Sequence, residues 1–199
     1  MKIGIFGGSF NPPHKMHKNI AAYLIEKGYV DKIIFVPTGS KYKYKNNLLP
    51  DEARLMMLEL MIEDQENMTA SSFELKSEVV YTCDTLKHFS KLYPNDSIYF
   101  ICGTDNLTYI DKWKNGEYLL KNYKFLVIKR STDAIEEIIK RLDNHKKNII
   151  IADMPMEEIS STMIREYLAN DDKNVINYLD REVYEYIMRN NMYHKIEVK

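Results

Sequence analysis

Two short stretches near opposite ends of the chain carry the residue types that hold phosphate groups. The first is Gly7-Gly8-Ser9-Phe10-Asn11-Pro12-Pro13-His14-Lys15-Met16-His17. Glycine lets a backbone turn sharply and approach a ligand closely, and His14 and His17 fall on one face of a helix's first turn. A helix starting here aims unpaired N–H groups and its positive dipole end at the same place, a natural anion site. Both imidazoles can donate hydrogen bonds to phosphate oxygens. The stretch matches neither the six-position dinucleotide glycine pattern nor G-x-x-x-x-G-K-[ST]. Read without a ligand, it is a strand–turn–helix corner with surface histidines. Zinc is the weaker rival, because the histidine pair lacks a clear third ligand.

The second stretch is Ile159-Ser160-Ser161-Thr162-Met163-Ile164-Arg165. Three successive hydroxyls ahead of a helix offer caps and anion donors together. Arg165 lies about one helical turn beyond Ser161, and its guanidinium can reach the same anion. Alone this is an ordinary capped helix; paired with the first stretch it points to a phosphorylated ligand held from both ends of the chain.

The elements between must bring these stretches together. Lys2–Phe6, DKIIFVP ending at Pro37, SIYFICG, YKFLVIK and NIIIAD are apolar runs without polar alternation, as in strands covered on both faces. Thr69–Glu74 is a weaker strand candidate. Helices are expected from Lys15 to Glu26, with Ile20, Tyr23 and Leu24 inward, and over PDEARLMMLELMI, with Leu55, Leu58 and Ile62 on one face. Further helices fall on YTCDTLKHFSKLY, around Trp113 and Tyr118–Lys121, and on DAIEEIIKRL, ISSTMIREYL and DREVYEYIMRN. Such alternation implies a Rossmann-like α/β fold, a doubly wound parallel sheet with helices on both faces. It reads as one domain over residues 1–199, with a C-terminal helical part from about 160–199 carrying the second stretch. Ligands of such folds bind beyond the carboxyl ends of the strands, where the first stretch lies.

The formal net charge of −1 gives no global electrostatic case for nucleic acid or membrane, so an anion must be held by local groups. Cys83 and Cys102 are too few for a disulfide framework or a cysteine-based zinc cluster. No apolar run is long enough to cross a bilayer, and KIGIF followed by glycines is not a signal peptide. The expected setting is the cytoplasm, and homo-oligomerisation stays open.

The pair GGSFNPPHxxH and ISSTMIR resembles the nucleotidyltransferase superfamily with two N-terminal histidines and a C-terminal ISSTxxR motif. Within it, the chain resembles the bacterial nicotinate-mononucleotide adenylyltransferases over essentially its whole length. Tyr81-Thr82-Cys83-Asp84-Thr85-Leu86 is similar to their YTxDTL motif. Gly103-Thr104-Asp105-Asn106-Leu107 followed by Lys112-Trp113-Lys114 is similar to their G-x-D-N-L…KWK stretch. Pantetheine-phosphate adenylyltransferase shares the terminal motifs but not these two.

The resemblance implies transfer of AMP from ATP to nicotinate mononucleotide, giving deamido-NAD and pyrophosphate, with Mg²⁺ accompanying ATP and no metal site of the protein's own. It implies His14, His17 and Arg165 as the catalytic groups, absorbing charge on the phosphate oxygens. With them, Gly7, Gly8, Ser9, Phe10, Gly103, Asp105, Ile159, Ser160, Ser161 and Thr162 would surround ATP. Asn11, Lys43, Tyr81, Thr82, Thr85 and Trp113 would surround the pyridine nucleotide. Trp113 is then a stacking surface for the ring, where otherwise it packs under a loop. Asp105 would accept from ribose hydroxyls or cap a helix.

The chain departs from the family at two places. Met16 stands where a small residue usually precedes the second histidine, and it must point away from the triphosphate. The loop Gly39-Ser40-Lys41-Tyr42-Lys43-Tyr44-Lys45 replaces P-P-H-K and resembles the Y-K-K-K loop of eukaryotic enzymes that also accept nicotinamide mononucleotide. Acid or amide preference is therefore open. So are another phosphomonoester substrate and a nucleotide-binding regulator without turnover.

Overall fold

The computed structural model describes residues 1–41, 48–76, 78–129, 135–155, 157 and 159–194. Six strands, β1 (Lys2–Gly8), β2 (Lys32–Pro37), β3 (Met68–Ala70), β4 (Ser97–Gly103), β5 (Lys124–Ile128) and β6 (Ile149–Ala152), form one parallel sheet. Their order is β3-β2-β1-β4-β5-β6. This is the doubly wound arrangement, whose direction of winding reverses between β1 and β4 and leaves a crevice at their carboxyl ends.

The described residues form eight α-helices, of which the first six lie between strands and the last two follow β6: α1 (Lys15–Glu26), α2 (Asp51–Ile62), α3 (Thr82–Leu92), α4 (Thr104–Thr108), α5 (Gly116–Asn122), α6 (Ile135–Arg141), α7 (Ser161–Ala169) and α8 (Arg181–Arg189). The period-two alternation of each strand sends its side chains to opposite faces. Phe6, Ile33, Phe35, Tyr99, Ile101, Leu126 and Ile128 pack with α1, α2, α7 and α8. Ile3, Ile5, Ile34, Val36, Phe100, Phe125 and Val127 pack with α3, α5 and α6 on the other face. Two apolar layers on one sheet explain the unbroken apolar strand runs. No helix among the described residues is long and apolar enough to cross a membrane.

Four expectations are corrected. The strand foreseen over Thr69–Glu74 is only Met68–Ala70, at the sheet edge, and after a last bond from Ser71 N to Phe35 O the chain turns away. The region around Trp113 is not one helix. A 3-10 turn at Ile110–Lys112 ends at Trp113, and Asn115 in the left-handed region (φ 58°) starts α5 in a new direction. In α2 the inward face is Arg54, Met57, Leu58, Met61 and Ile62, while Leu55 is half-buried. In α1, Met16 and Ala21 join Ile20 and Leu24 in the core, while Tyr23 is half-buried with its hydroxyl donating to Asp153 O at 2.8 Å.

Candidate functional site

Both glycines of the first stretch belong to β1, where Gly7 pairs with Val36 and Gly8 with Pro37. They do not make the turn foreseen for them. The turn is made at Phe10, a non-glycine residue at φ 47°, and the ring of Phe10 folds back under Gly8. A Cβ on Gly8 would lie 3.0 Å from that ring, so the glycine is needed for close approach.

His14 is the N-cap of α1, in extended conformation. Its N–H donates to His17 Nδ1 at 3.2 Å, and its own side chain turns back toward the N–H of His17. Two histidines thus occupy the places that a hydroxyl and a carboxamide or carboxylate take in the usual capping box. Because Nδ1 of His17 accepts, the neutral ring carries its proton on Nε2. The two rings lie 3.7 Å apart between centroids, and Phe10 meets His17 edge-on at 5.0 Å. The expected array of unpaired α1 amides is smaller than foreseen, since the N–H of Lys15 donates to Tyr178 O. Anion binding at this corner therefore falls more heavily on side chains.

The second stretch closes over the first. Ser160 caps α7 by accepting the N–H of Met163 at 3.2 Å. Ser161 Oγ donates to Pro12 O at 2.8 Å, and Arg165 Nη1 donates to Asn11 O at 2.8 Å. Arg165 Nη2 donates to Thr162 Oγ1 at 3.1 Å, which leaves the threonine proton for a ligand. Asn11 is further tied, its Oδ1 accepting from Leu49 N and from the Tyr193 hydroxyl. Burial raises the Tyr193 phenol well above its ordinary range, against the opposing pull of Arg165 and Arg54, so it remains a donor.

Two adjoining cavities open at this end of the sheet. The larger, about 500 Å³, is lined on one side by Gly7, Ser9, Phe10, Asn11, His14 and His17, and on the other by Gly103, Ile159, Ser160, Ser161, Thr162 and Arg165. Met16 is 3% exposed and packed in the core, so it forms wall rather than obstruction. The smaller, about 170 Å³, is lined by Gly7, Gly8, Ser9, Thr82 and Trp113, with Thr38, Glu74, Val80, Phe100, Cys102 and Asn106. Trp113 stands edge-on to Phe100 at 6.0 Å. The end of β1 and the β4–α4 junction divide the two spaces.

Some assigned residues lie elsewhere. Asp105 is exposed on the first turn of α4 and lines neither cavity, whereas Asn106 lines both. Asn11 faces the larger cavity and not the smaller. Tyr81 caps α3 beneath Lys114, whose Nζ is 4.2 Å from the ring centre. Thr85 is buried, and its hydroxyl donates to Glu74 Oε1 at 2.5 Å. Lys43 and its neighbours Tyr42, Tyr44 and Lys45 lie outside the described residues.

Two residues escaped the sequence reading. Arg54 is fully buried, donating to Ser9 O at 2.8 Å, to Leu49 O at 3.1 Å and to Asp51. It holds the turn that both cavities share, and its place on the apolar face of α2 was a usable signal. Glu74 had none: between Phe73 and Leu75 it reads as an ordinary surface charge.

The cytidylyltransferase-like family profile matches residues 5–167. A protein of Caldicellulosiruptor bescii named "Probable nicotinate-nucleotide adenylyltransferase" is 38% identical over 197 residues, covering 97% of this chain and 99% of that protein. One of the same name from Flavobacterium johnsoniae is 39% identical, covering 98% and 100%. The chain belongs to the nicotinate-nucleotide adenylyltransferase family. Its fold is that of the Plasmodium falciparum nicotinic acid mononucleotide adenylyltransferase. The structure complexed with NaAD superposes with a TM-score of 0.83 at 24% identity, covering 96% of this chain and 97% of that one. The structure complexed with APC gives 0.79 at 26% identity, covering 96% of each chain.

Proposed function

We propose that this chain transfers AMP from ATP to nicotinate mononucleotide, forming deamido-NAD and pyrophosphate, with each substrate in one of the two adjoining cavities. The observation that carries this reading is the clasp of Arg165 and Ser161 on the carbonyls of Asn11 and Pro12. It sets a guanidinium, two imidazoles and a row of hydroxyls around one space, next to a smaller one walled by the chain's only tryptophan.

A phosphate oxygen of the mononucleotide attacks the α-phosphorus of ATP. The bond from that phosphorus to the bridging oxygen breaks, and the electron pair leaves with pyrophosphate. The nucleophile is already an anion, so no side chain has to remove a proton. Catalysis then consists of alignment and of donors placed where charge accumulates. In this reading His17 Nε2–H, His14 and Arg165 donate to the triphosphate, and Thr162 adds its hydroxyl proton. Ser160, Ser161, Ile159, Gly103 and the Gly7–Phe10 turn shape the walls. Thr82 and Trp113 receive the pyridine, Trp113 through its face.

Mg²⁺ enters with ATP as part of the substrate. Among the described residues, no carboxylate lines the larger cavity and no three metal-ligating side chains cluster. The ion supplies charge neutralisation on the phosphate oxygens. The buried free thiols of Cys83 and Cys102 fit the reducing cytoplasm we assign to it.

The test is pyrophosphate release from Mg-ATP with nicotinate mononucleotide, nicotinamide mononucleotide or 4′-phosphopantetheine. Release with a pyridine mononucleotide and none with phosphopantetheine is the expected result. Release with phosphopantetheine alone, or with none of the three, overturns the assignment.

A further inference from the structure

Glu74 has no part in the chemistry above, yet it lines the smaller cavity. It sits in the connection between β3 and α3, and its backbone is pinned by the loop after β2. A Cβ on Gly39 would overlap the Glu74 carbonyl. Thr85 holds Oε1, while Oε2 has no protein hydrogen-bond partner among the described residues.

Among the described residues, the other groups that line this cavity or hold the Glu74 carboxyl are uncharged. β2 presents Thr38, β4 presents Phe100 and Cys102, and α4 presents Asn106. Thr82 and Thr85 come from α3, and Trp113 follows the 3-10 turn. The nearby charges have other engagements: Lys114 lies over Tyr81 and 3.8 Å from Asp84, and Lys76 lies over the Phe73 ring. Asp105 is exposed. Glu74 forms no ion pair among the described residues.

We propose that Glu74 is a specificity-determining residue for the substituent on the pyridine ring, its protonation deciding whether a carboxylate or a carboxamide is accepted. The inference rests on the assignment of the smaller cavity to the pyridine nucleotide. As a neutral acid, Glu74 donates its proton in a short charge-assisted hydrogen bond to a pyridine carboxylate. As a carboxylate it repels that group and accepts an N–H of a carboxamide instead. Burial raises the Glu74 carboxyl to about 7, with the Thr85 hydroxyl pulling the other way, so the change falls near neutrality.

The experiment measures kcat/KM for nicotinate and nicotinamide mononucleotide from about pH 6 to about pH 8.5, a range that brackets the titration. Both substrates carry the same phosphate, so its ionisation cancels in their ratio. Above neutrality the acid-to-amide ratio falls roughly tenfold per pH unit, as expected when only the protonated form accepts the acid. In Glu74→Gln, which keeps a donor and an acceptor in nearly the same shape, the ratio becomes independent of pH. A wild-type ratio flat across the range, or an unchanged slope in Glu74→Gln, overturns the proposal while the adenylyltransferase reading stands. Absence of release with either mononucleotide overturns both.

Discussion

Replacing Arg54 by methionine isolates the one fully buried guanidinium among the described residues. Methionine follows the aliphatic stem, so the cavity left is small and the loss is mainly polar. The carbonyls of Ser9 and Leu49 lose their donors, and Asp51 loses its cation. Breaking a buried pair by removing one partner costs about 3–5 kcal/mol. The lower half of that range applies here, because the Asp51 side chain is 17% exposed and still accepts the Ser40 N–H. A domain of this size shifts its Tm by roughly 2–4 °C per kcal/mol, so the midpoint should fall by about 10 °C. Urea unfolding followed by far-ultraviolet circular dichroism measures the loss. Because Ser9 lines both cavities, KM rises for ATP and for the mononucleotide together. A loss under about 1 kcal/mol, the ordinary value for one net hydrogen bond, would refute the claim that Arg54 holds the phosphate turn. So would a large loss with both KM values unchanged.

Two further substitutions separate catalysis from binding. His17→Ala should lower kcat by about 10²–10³, the usual cost of removing one donor to developing charge, while the cooperative thermal transition persists; turnover within a few-fold of wild type would remove the imidazole from the mechanism. Trp113→Ala should raise KM for the pyridine mononucleotide and leave KM for ATP unchanged, and a change confined to ATP would place the ring elsewhere than in the smaller cavity.

The sheet was legible because each of its long strands is covered on both faces, which writes an unbroken apolar run into the sequence. Ile3 and Ile5 face one apolar layer and Phe6 the other, and β2, β4 and β5 alternate in the same way. The three-residue β3 was drawn too long because the edge strand has only one neighbour to specify where pairing stops. The clasp motifs were legible as residue types, and their convergence followed from the winding of the sheet. What each polar atom touches was not. Ser161 reads as an anion donor and donates to Pro12 O, while Thr85 reads as a substrate contact and donates to Glu74. Such pairings are set by tertiary packing between distant segments, and local pattern carries no record of them. The choice between Asp105 and Asn106 turns on helical phase at the start of a five-residue helix, where one residue rotates a side chain by about 100°.

The clasp joins residues 154 and 149 positions apart along the chain. During synthesis, the Phe10 turn and both histidines emerge long before their counterpart exists. On the proposed assignment, competence to hold the nucleotide therefore arrives late, once Arg165, Tyr178 and Tyr193 have all been made and α7 and α8 dock. From then on, bound nucleotide stabilises only the fully wound chain, by mass action, and not any N-terminal fragment of it. Protection from proteolysis by ATP should accordingly be absent from chains ending before α7 and present in chains that extend through α8 and Tyr193.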